Sequence, residues 1–435
     1  SMSALDTVSK VGDKAPFAAL VVLGSVLYLL LSESMARGEL YKTVSVPTFW
    51  IVVGVVVAAL ARWLLARPAK KAFANPRTAK HRAYRYKTYP PAYPNGWYKL
   101  CDAADVKRGE VQYIQALGQH FVVFRGQDSG EVTVMDAFCP HLGANLGMGG
   151  KVKGDCLTCP FHEWSFDKNG KCVDIPYYQG DIPSNAHNTT WYSEERYAMI
   201  MVWFDAEKRE PQWHYPQIEG INSGQAVYRG SKDGNDVQMH IQEWSENGVD
   251  YAHFPVLHNR MMLPWTLYNI PLIRVHHTTE FTVGGADNKA MPPHISMFKN
   301  VACLSLFGRD IPRTSCTAKI NFIGPGGIVL LHFEIPDMGN IYLFEAHTPT
   351  EPMNMHASWV WFADSNIPRL LVLYVVGSWY SQFHNDLEIW ENKIYLRTPV
   401  ILKTDGPINK FRRWYSQFYS PNSAEMAKVG QALDW

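Results

Sequence analysis

The stretch CPHLGANLGMGGKVKGDCLTCPFHEW, residues 139–164, contains two short motifs that each pair a cysteine with a histidine. The first motif is Cys-x-His, at Cys139 and His141. The second follows after 17 intervening residues and is Cys-x-x-His, at Cys159 and His162. Prolines and glycines around both motifs favour tight turns. The pattern therefore predicts two paired loops, each presenting one thiolate and one imidazole.

This donor set is typical of a Rieske [2Fe–2S] cluster, in which two thiolates hold one iron and two imidazoles hold the other. We predict that Cys139, His141, Cys159 and His162 are its ligands. A Cys2His2 zinc site is the alternative, but zinc fingers group their two cysteines and their two histidines separately. Cys156 forms a C-x-x-C pair with Cys159, and we expect it to pack near the cluster without binding it.

A second candidate metal site lies downstream in ENGVDYAHFPVLHN, which contains Asp250-x-x-His253-x4-His258. A mononuclear non-haem iron needs two histidines and one carboxylate on one side, with open positions opposite. A regular helix would separate the two imidazoles by about 140°, but Pro255 interrupts such a helix. Two structural histidines are the ordinary alternative. The upstream cluster favours iron, because a cluster needs an electron acceptor.

The third ligand must come from elsewhere, and SQFHNDLEIWENK (381–393) offers Asp386 and Glu388, with His384 as a further donor. Residues at helical spacing form an apolar stripe there: Phe383, Leu387 and Trp390. Asp386 lies at the margin of this stripe, where a carboxylate is costly unless it binds a metal or a hydrogen-bond donor. Chemistry favours Asp386 and leaves Glu388 open.

The rest of the chain indicates an α+β protein with two globular domains. Short alternating runs between Gly- and Asp-rich turns predict antiparallel strands from about Asn95 to 205. A polar stretch, 206–236, is a plausible boundary, and later strands precede a helix predicted over 366–396. The 47% hydrophobic content allows large cores, and the net charge of +1 implies no attraction to nucleic acid. Seven scattered cysteines favour a reduced, intracellular chain.

Two apolar stretches, 16–31 and 47–66, precede the predicted strands. A transmembrane helix needs about 20 apolar residues, so the second stretch qualifies and the first is marginal. We expect a transmembrane hairpin, with a single anchor as the alternative; the poorly basic start argues against a signal peptide. Residues 67–87 contain eight Lys or Arg and no acid, which predicts that the following domains are cytosolic. We also expect Met2 to be the natural start.

The expected organisation has five parts: an N-terminal tail (1–15), a transmembrane hairpin (16–66), a basic linker (67–94), an all-β cluster domain (95–205) and a mononuclear iron domain (206–435).

The two motif sets, in this order, resemble the Rieske non-haem iron oxygenases over about residues 95–420. In that family D-x2-H-x4-H supplies two iron ligands, here His253 and His258. A later aspartate on a long C-terminal helix completes the triad, which matches Asp386. The resemblance implies an all-β Rieske domain followed by a helix-grip catalytic domain, an antiparallel sheet with a long C-terminal helix.

Asp250 matches the family's acidic residue that passes electrons from a cluster-bound histidine to an iron-bound one. In the family this bridge crosses a subunit boundary in a head-to-tail homotrimer, and His162 or His141 would be its partner here. Glu163 is a departure, because many relatives have glycine in CPFHGW; we expect its side chain to influence reductase docking.

Residues 386–419, together with the paired apolar stretches and the cluster motif, resemble the steroid branch of this family, closest to the animal cholesterol 7-desaturases of the Neverland type and related to 3-ketosteroid 9α-hydroxylases. The resemblance implies a membrane enzyme, in the endoplasmic reticulum, that converts cholesterol to 7-dehydrocholesterol in steroid hormone synthesis. Its cofactors would be the cluster and mononuclear Fe(II), with O2 as co-substrate and electrons from NAD(P)H through a reductase.

An apolar sterol pocket is expected near the motifs. The candidate lining residues are Phe254, Met261, Met262, Trp265, Phe383 and Trp390, although core packing is the commoner role for each. Hydroxylation of a steroid stays open as the outcome. The alternatives from other classes are a membrane-anchored Rieske electron-transfer protein and a sterol-binding regulator with vestigial metal sites.

Overall fold

The structure is a computed structural model that describes residues 79–425 except residue 286. The predicted tail and transmembrane hairpin lie outside the described residues. Among the residues that are described, no helix combines the length and the apolar character needed to cross a bilayer.

The N-terminal part of the described chain is built from short antiparallel strands in three small sheets. One sheet has the order β1-β10-β9, another β2-β3-β4, and the third β5-β6-β7-β8. The strands are β1 (Gly96–Asp102), β2 (Val111–Ala116), β3 (Gln119–Arg125), β4 (Val132–Asp136), β5 (Lys151–Lys153), β6 (Cys156–Thr158), β7 (Ser165–Phe166), β8 (Cys172–Asp174), β9 (Ser193–Arg196) and β10 (Met199–Phe204). The expected all-β Rieske domain is therefore present.

The C-terminal part is dominated by a ten-stranded sheet in which every named strand pair is antiparallel. Its main path is β11-β20-β19-β18-β17-β15-β14-β13, with β12 paired to β20 and β16 to β15. The strands are β11 (Ala226–Lys232), β12 (Asp236–Val237), β13 (Arg260–Met262), β14 (Asn269–Val283), β15 (Ile295–Leu306), β16 (Arg309–Asp310), β17 (Cys316–Ile323), β18 (Ile328–Ile335), β19 (Gly339–Glu351) and β20 (Asn354–Asp364).

Helices flank this sheet, and the longest of them carries the predicted iron ligand Asp386. They are α1 (Ala79–Tyr86), α2 (Glu219–Asn222), α3 (Ile241–Asn247), α4 (Phe254–Leu257), α5 (Arg369–Trp390) and α6 (Ile408–Tyr415). Short 3-10 turns occur at Ala103–Asp105, Tyr251–His253, Pro312–Thr314 and Ser416–Phe418.

The long helix α5 lies against the sheet and begins directly after Pro368, which cannot continue a helix from its N-terminal side. Trp379 of α5 donates to buried Glu345 of β19 (2.9 Å), and Tyr380 packs on Trp359 of β20. The predicted antiparallel sheet and long C-terminal helix are thus both observed, and they hold Asp386 in the interior, where 3% of its surface is exposed.

The first helix, α1, is fixed to the far end of α5 by a buried arginine. The guanidinium of Arg85 donates to the main-chain oxygens of Trp390, Glu391 and Gln238 at 2.5–2.7 Å. Charged hydrogen bonds of this kind are stronger than neutral ones. The chain that leads in from the N-terminal stretches therefore enters the catalytic part beside the C-terminal end of α5.

Candidate metal centres

Two equivalent loops present the cysteines and histidines of the predicted cluster site. In the first, the Gly143 amide donates to the Cys139 carbonyl (2.9 Å); in the second, the Glu163 amide donates to the Cys159 carbonyl (3.2 Å). Each loop thus closes four residues after its cysteine. The closing residue has a positive φ in both loops, +75° at Gly143 and +57° at Glu163. A positive φ favours glycine, which explains why glycine suits position 163.

The loops place the thiols inside and the imidazoles towards solvent. Cys139 and Cys159 are buried, whereas His141 and His162 are half-buried with ring centroids 4.7 Å apart. The His141 ring stacks on Trp164 at 4.5 Å. Burial, together with the neighbouring Cys159, raises the pKa of the Cys139 thiol to about 12, so positive charge must be supplied before a thiolate forms there. This donor set fits a [2Fe–2S] cluster with its histidine-bound iron near the surface.

Cys156 does not join this group of donors. It lies on β6, where its backbone pairs with Lys153 at the far end of the strand pair. Glu163 is exposed, and its carboxylate forms an ion pair with the ammonium of Lys153 at 3.2 Å. The departure from glycine therefore places a surface charge pair beside the second loop.

The second predicted site assembles two histidines and one aspartate from distant elements. One donor atom from each of His253, His258 and Asp386 lies within 4.8 Å of the others. His253 ends the 3-10 turn and His258 follows α4, with Pro255 in the first turn of that helix. This break brings the two rings to 5.0 Å at 82°, so both can face one ion.

Neighbouring groups orient both imidazoles. His258 Nδ1 bonds Gln382 Oε1 at 2.7 Å, which turns Nε2 towards Asp386 Oδ2 at 3.1 Å. His253 Nδ1 bonds the main-chain oxygen of Asp250, which turns its Nε2 towards Asn247 Nδ2 (3.4 Å) and towards the other two metal ligands. Such partners of the second ring nitrogen fix the tautomer of metal-binding histidines.

The carboxylate of Asp386 fits a cation better than an empty site. Its Oδ2 accepts bonds from His258 and from Asn247 Nδ2 (3.1 Å), but its buried Oδ1 has no hydrogen-bond partner among the described residues. A buried carboxylate oxygen without a partner is costly, and a divalent iron would satisfy it.

The charges of the site are tightly linked. Burial, followed by the neighbouring His258, lowers the pKa of His253. Burial also acts to lower the pKa of His258, but its hydrogen bond to Asp386 and the charge of that carboxylate outweigh burial and raise it.

The two other candidate iron ligands, Glu388 and His384, are placed away from the triad. Glu388 is exposed, and the His384 ring packs on Tyr380 and bonds its main-chain oxygen (2.9 Å). The side chain of Asp250 is half-buried beside the triad, and its carbonyl, as described above, is what contacts His253.

A cavity of about 60 Å³ adjoins the triad, room for only a few water molecules. Phe254 and Phe383, both predicted pocket residues, are part of its lining, while Met261, Met262, Trp265 and Trp390 lie outside it. Seven of the 15 lining residues are phenylalanine, tryptophan or isoleucine, and seven carry amide, imidazole or carboxylate groups: Trp244, Asn247, Gly248, His253, Phe254, His258, His277, Phe298, Asn300, Ile320, Phe322, Trp379, Gln382, Phe383 and Asp386.

The motif search missed two amide residues, Asn247 and Gln382. Both contact the triad, yet isolated asparagines and glutamines are ordinary on helices. The available signal was position: Gln382 precedes Asp386 by four residues, which puts both on one face of α5.

Comparisons with known proteins match both parts of the chain. The Rieske [2Fe-2S] domain family matches residues 96–186, and the 3-ketosteroid 9alpha-hydroxylase C-terminal domain family matches residues 202–419. Cholesterol 7-desaturase nvd of Hemicentrotus pulcherrimus is 39% identical over 352 residues, covering 80% of this chain and 74% of that protein. The chain belongs to the cholesterol 7-desaturase family of Rieske oxygenases. Cholesterol 7-desaturase of Caenorhabditis elegans is 36% identical, covering 78% of this chain and 80% of the relative.

More distant relatives of this family include the oxygenase component of 3-ketosteroid-9-alpha-monooxygenase from Rhodococcus rhodochrous, 25% identical over 76% of this chain and 85% of that protein. Among solved structures, NdmA of Pseudomonas putida CBB5 with caffeine has a TM-score of 0.56 at 18% identity, covering 78% of this chain and 94% of that one. Dicamba monooxygenase bound to 3,6 dichlorosalicylic acid also has a TM-score of 0.56, at 17% identity, covering 78% of this chain and 100% of that one. These structural matches show the fold.

Membership of the cholesterol 7-desaturase family confirms the resemblance that the motifs indicated. The chain is an oxidoreductase whose cofactors are a Rieske [2Fe–2S] cluster and a mononuclear non-haem iron, with O2 as co-substrate and electrons delivered by a reductase.

Proposed function

We propose that this protein desaturates cholesterol at C7–C8, giving 7-dehydrocholesterol, as a step in steroid hormone synthesis. The observation that carries the proposal is the buried triad His253, His258 and Asp386 beside an apolar cavity, in a chain 39% identical to a cholesterol 7-desaturase. Electrons come from NAD(P)H through the reductase.

The cluster ligands in this proposal are Cys139, His141, Cys159 and His162. The two histidines are half-buried, so electrons can enter and leave at the surface of this domain. The Rieske domain comprises residues 95–205 and the catalytic domain residues 206–435, preceded by a tail (1–15) and a basic linker (67–94).

Electrons reach the triad through Asp250, with His162 or His141 of another subunit as the donor side of the bridge. A head-to-tail homotrimer places the cluster of one chain next to the iron of its neighbour. The contact between the Asp250 carbonyl and His253 Nδ1 supports this role, because it joins residue 250 directly to a metal-binding ring.

When bound, the iron supplies the activation of dioxygen for removing hydrogen from an unactivated carbon. His253 Nε2, His258 Nε2 and Asp386 would hold it, and the same three residues line the cavity. Gln382 fixes the ring of His258, and the aromatic walls exclude water from the reacting edge of the sterol.

The predicted pocket residues have different parts in this proposal. Phe254 and Phe383 contact the reacting edge of the sterol from the cavity wall. Met261, Met262 and Trp265 lie on or after β13, and Trp390 packs on Trp244 behind the cavity, so these four shape the pocket from outside.

Membrane attachment is also part of the proposal. Residues 16–66 form a transmembrane hairpin in the endoplasmic reticulum, and the basic run 67–87 keeps the following domains cytosolic. A sterol held in the bilayer then reaches the enzyme without crossing bulk water.

The test is incubation of the full chain with cholesterol, NADPH and a reductase, followed by mass spectrometry of the sterols. A product lighter by two hydrogens is expected. A product heavier by one oxygen would make the enzyme a steroid hydroxylase, the alternative that the Rhodococcus relative favours.

A further inference from the structure

An exposed apolar rim lies at one end of the catalytic domain. We define the rim as Leu267, Tyr268, Phe307, Ile311 and Leu370, which are 62, 49, 75, 38 and 82% exposed. Five large exposed apolar side chains at one end of a domain exceed the scattered single residues that a soluble surface normally shows.

Register and contacts with α5 place these residues together. Ile273 pairs with Leu306, so the Phe307 tip lies at the same end of the sheet as the loop before β14, which carries Leu267 and Tyr268. Trp265 of that loop donates to the Leu373 carbonyl of α5 at 3.0 Å. Leu370 lies one helical turn earlier, at the start of α5.

Phe307 occupies a backbone position that does not suit it. Phe307 and Gly308 form the two-residue loop between β15 and β16, with φ of +50° and +78°. Two positive φ angles define a type I′ turn, in which Asn-Gly or Asp-Gly is preferred. A 75% exposed phenylalanine gains no burial within the described chain to offset this strain, so its role must lie outside it.

Half-buried apolar residues of β15 and α5, here called the trough, lie between the iron cavity and the rim. On β15, Asn300 lines the cavity, and the same face continues through Ala302 and Leu304 to Leu306, all half-buried. Six strand residues span about 20 Å. On the side of α5 that carries Asp386, a row of residues at helical spacing ends at Val375 and Leu371, which are both half-buried.

The trough also explains how so small a cavity serves a sterol. A pocket for a drug-sized ligand usually has about 300–1,000 Å³, whereas the cavity at the triad has about 60 Å³. The cavity therefore has room for the reacting edge alone, and the remaining apolar length of the substrate must lie along the trough, towards the rim.

Unpaired basic residues surround the rim. Arg260, Arg274, Arg309 and Arg369 are exposed, and none forms an ion pair within the described part of the chain. The acid of the hairpin, Asp310, is paired with His276 at 2.7 Å. Exposed apolar groups bordered by free arginines complement an anionic phospholipid surface.

We infer that the rim inserts into the surface of a phospholipid bilayer and that the trough takes the sterol from there to the iron. The sterol part rests on the proposed function; the bilayer contact does not. Twelve residues, 67–78, separate the second apolar stretch from α1, and they can span about 40 Å. That exceeds the length of α5, about 33 Å, so one bilayer can hold the apolar stretches and contact the rim.

The test compares Phe307→Asn with the wild-type full chain, in phosphatidylcholine–phosphatidylserine vesicles and in a lipid-free amphipathic polymer. The substitution creates the Asn-Gly turn preferred at this site, so thermal stability should be unchanged or higher. Cholesterol is supplied in the bilayer or, for the polymer, from cyclodextrin. The ratio of vesicle to polymer turnover should fall about tenfold, equivalent to about 1.4 kcal/mol. Val227→Asn, on the opposite edge strand, should leave the ratio unchanged.

Hydrogen exchange of the 305–311 amides tests the bilayer contact without any turnover. These amides should be protected in vesicles relative to polymer in the wild type, and not in Phe307→Asn. Arg309→Ala should lower the turnover ratio about fivefold only when phosphatidylserine is present. Amides that exchange equally fast in vesicles and in polymer would overturn the proposal. Amides that exchange equally slowly in both would also overturn it, and would make a second copy of the chain the occupant of the rim. If hydrogen exchange supports the contact but the wild type forms no desaturated product, the proposed function fails and the bilayer contact stands.

Discussion

Gln382→Ala should weaken iron binding without affecting the cluster. His258 is 5% exposed, and its Nδ1 bonds Gln382 Oε1 at 2.7 Å. The alanine variant leaves this buried ring nitrogen without a partner, which costs about 1–3 kcal/mol, and frees the ring to rotate. Loss of such a partner lowers metal affinity about 10–100-fold, equivalent to about 1.4–2.7 kcal/mol. The cost of the unpaired ring nitrogen and the expected loss of metal affinity are therefore similar in free energy.

The assay is a chelator titration of the iron-loaded protein, with iron retained per chain as the readout. The electron paramagnetic resonance signal of the reduced cluster serves as the internal control, because its ligands lie in a different domain. Gln382→Glu keeps an acceptor towards His258 and should retain iron at least as well as the wild type. Gln212→Ala, an exposed glutamine in the 206–218 segment, is the matched control. Wild-type retention by Gln382→Ala would refute the role assigned to this contact.

Three further substitutions test other parts of the account. Asp386→Ala should abolish turnover and leave the reduced-cluster signal intact; undiminished turnover would show that another carboxylate binds the iron. Asp250→Asn should keep both metals, since the main-chain oxygen holds His253, but block cluster-to-iron electron transfer in single-turnover spectroscopy, and normal transfer would exclude the bridge. Burial raises the pKa of Glu345 from 4.5 to about 7. The wild type should therefore lose about 3 kcal/mol of stability relative to Glu345→Gln as the pH rises from 4.5 to 7. Denaturant unfolding of both proteins across this pH range measures the difference, and parallel profiles of unfolding free energy against pH would contradict the prediction.

The sign of the Glu345 effect follows from proton binding. Between pH 4.5 and 7 the folded chain keeps a proton on this carboxyl that the unfolded chain releases. Stability from that group is complete below pH 4.5 and is lost as the pH approaches 7. The difference between wild type and variant is the relevant quantity, because buried histidines such as His347, whose pKa burial lowers to about 3, oppose this trend in both proteins.

Local motifs were the most predictable part of the molecule. Each cluster loop contains its own cysteine and histidine, so spacing alone specified both loops. The His253 and His258 pair was also local, and the effect of Pro255 on their geometry could be anticipated from backbone chemistry. Asp386 required both the helical pattern and the family resemblance, since Glu388 stayed an open alternative until burial separated the two.

Features that depend on distant packing were not predictable in the same way. The 15-residue strand β14 was missed because His277 and Thr279 interrupt its apolar face. His277 is there because its Nε2 bonds the His258 carbonyl at 3.1 Å, a requirement of the site and not of the strand. Trp265 resembled a pocket residue by its proximity in sequence, yet its indole packs on α5 and donates to Leu373.

The central claim is that the iron held by His253, His258 and Asp386 desaturates cholesterol with electrons from the Rieske cluster of a neighbouring copy of the chain. The most direct measurement is a single turnover of chemically reduced, iron-loaded full chain with cholesterol and O2, without a reductase. We predict that 7-dehydrocholesterol forms, at up to about one molecule per chain, because the reduced cluster and the ferrous iron would each supply one of the two electrons required, and that Asp386→Ala forms none. Cluster oxidation that yields only an oxygenated sterol, or no altered sterol, would contradict the claim.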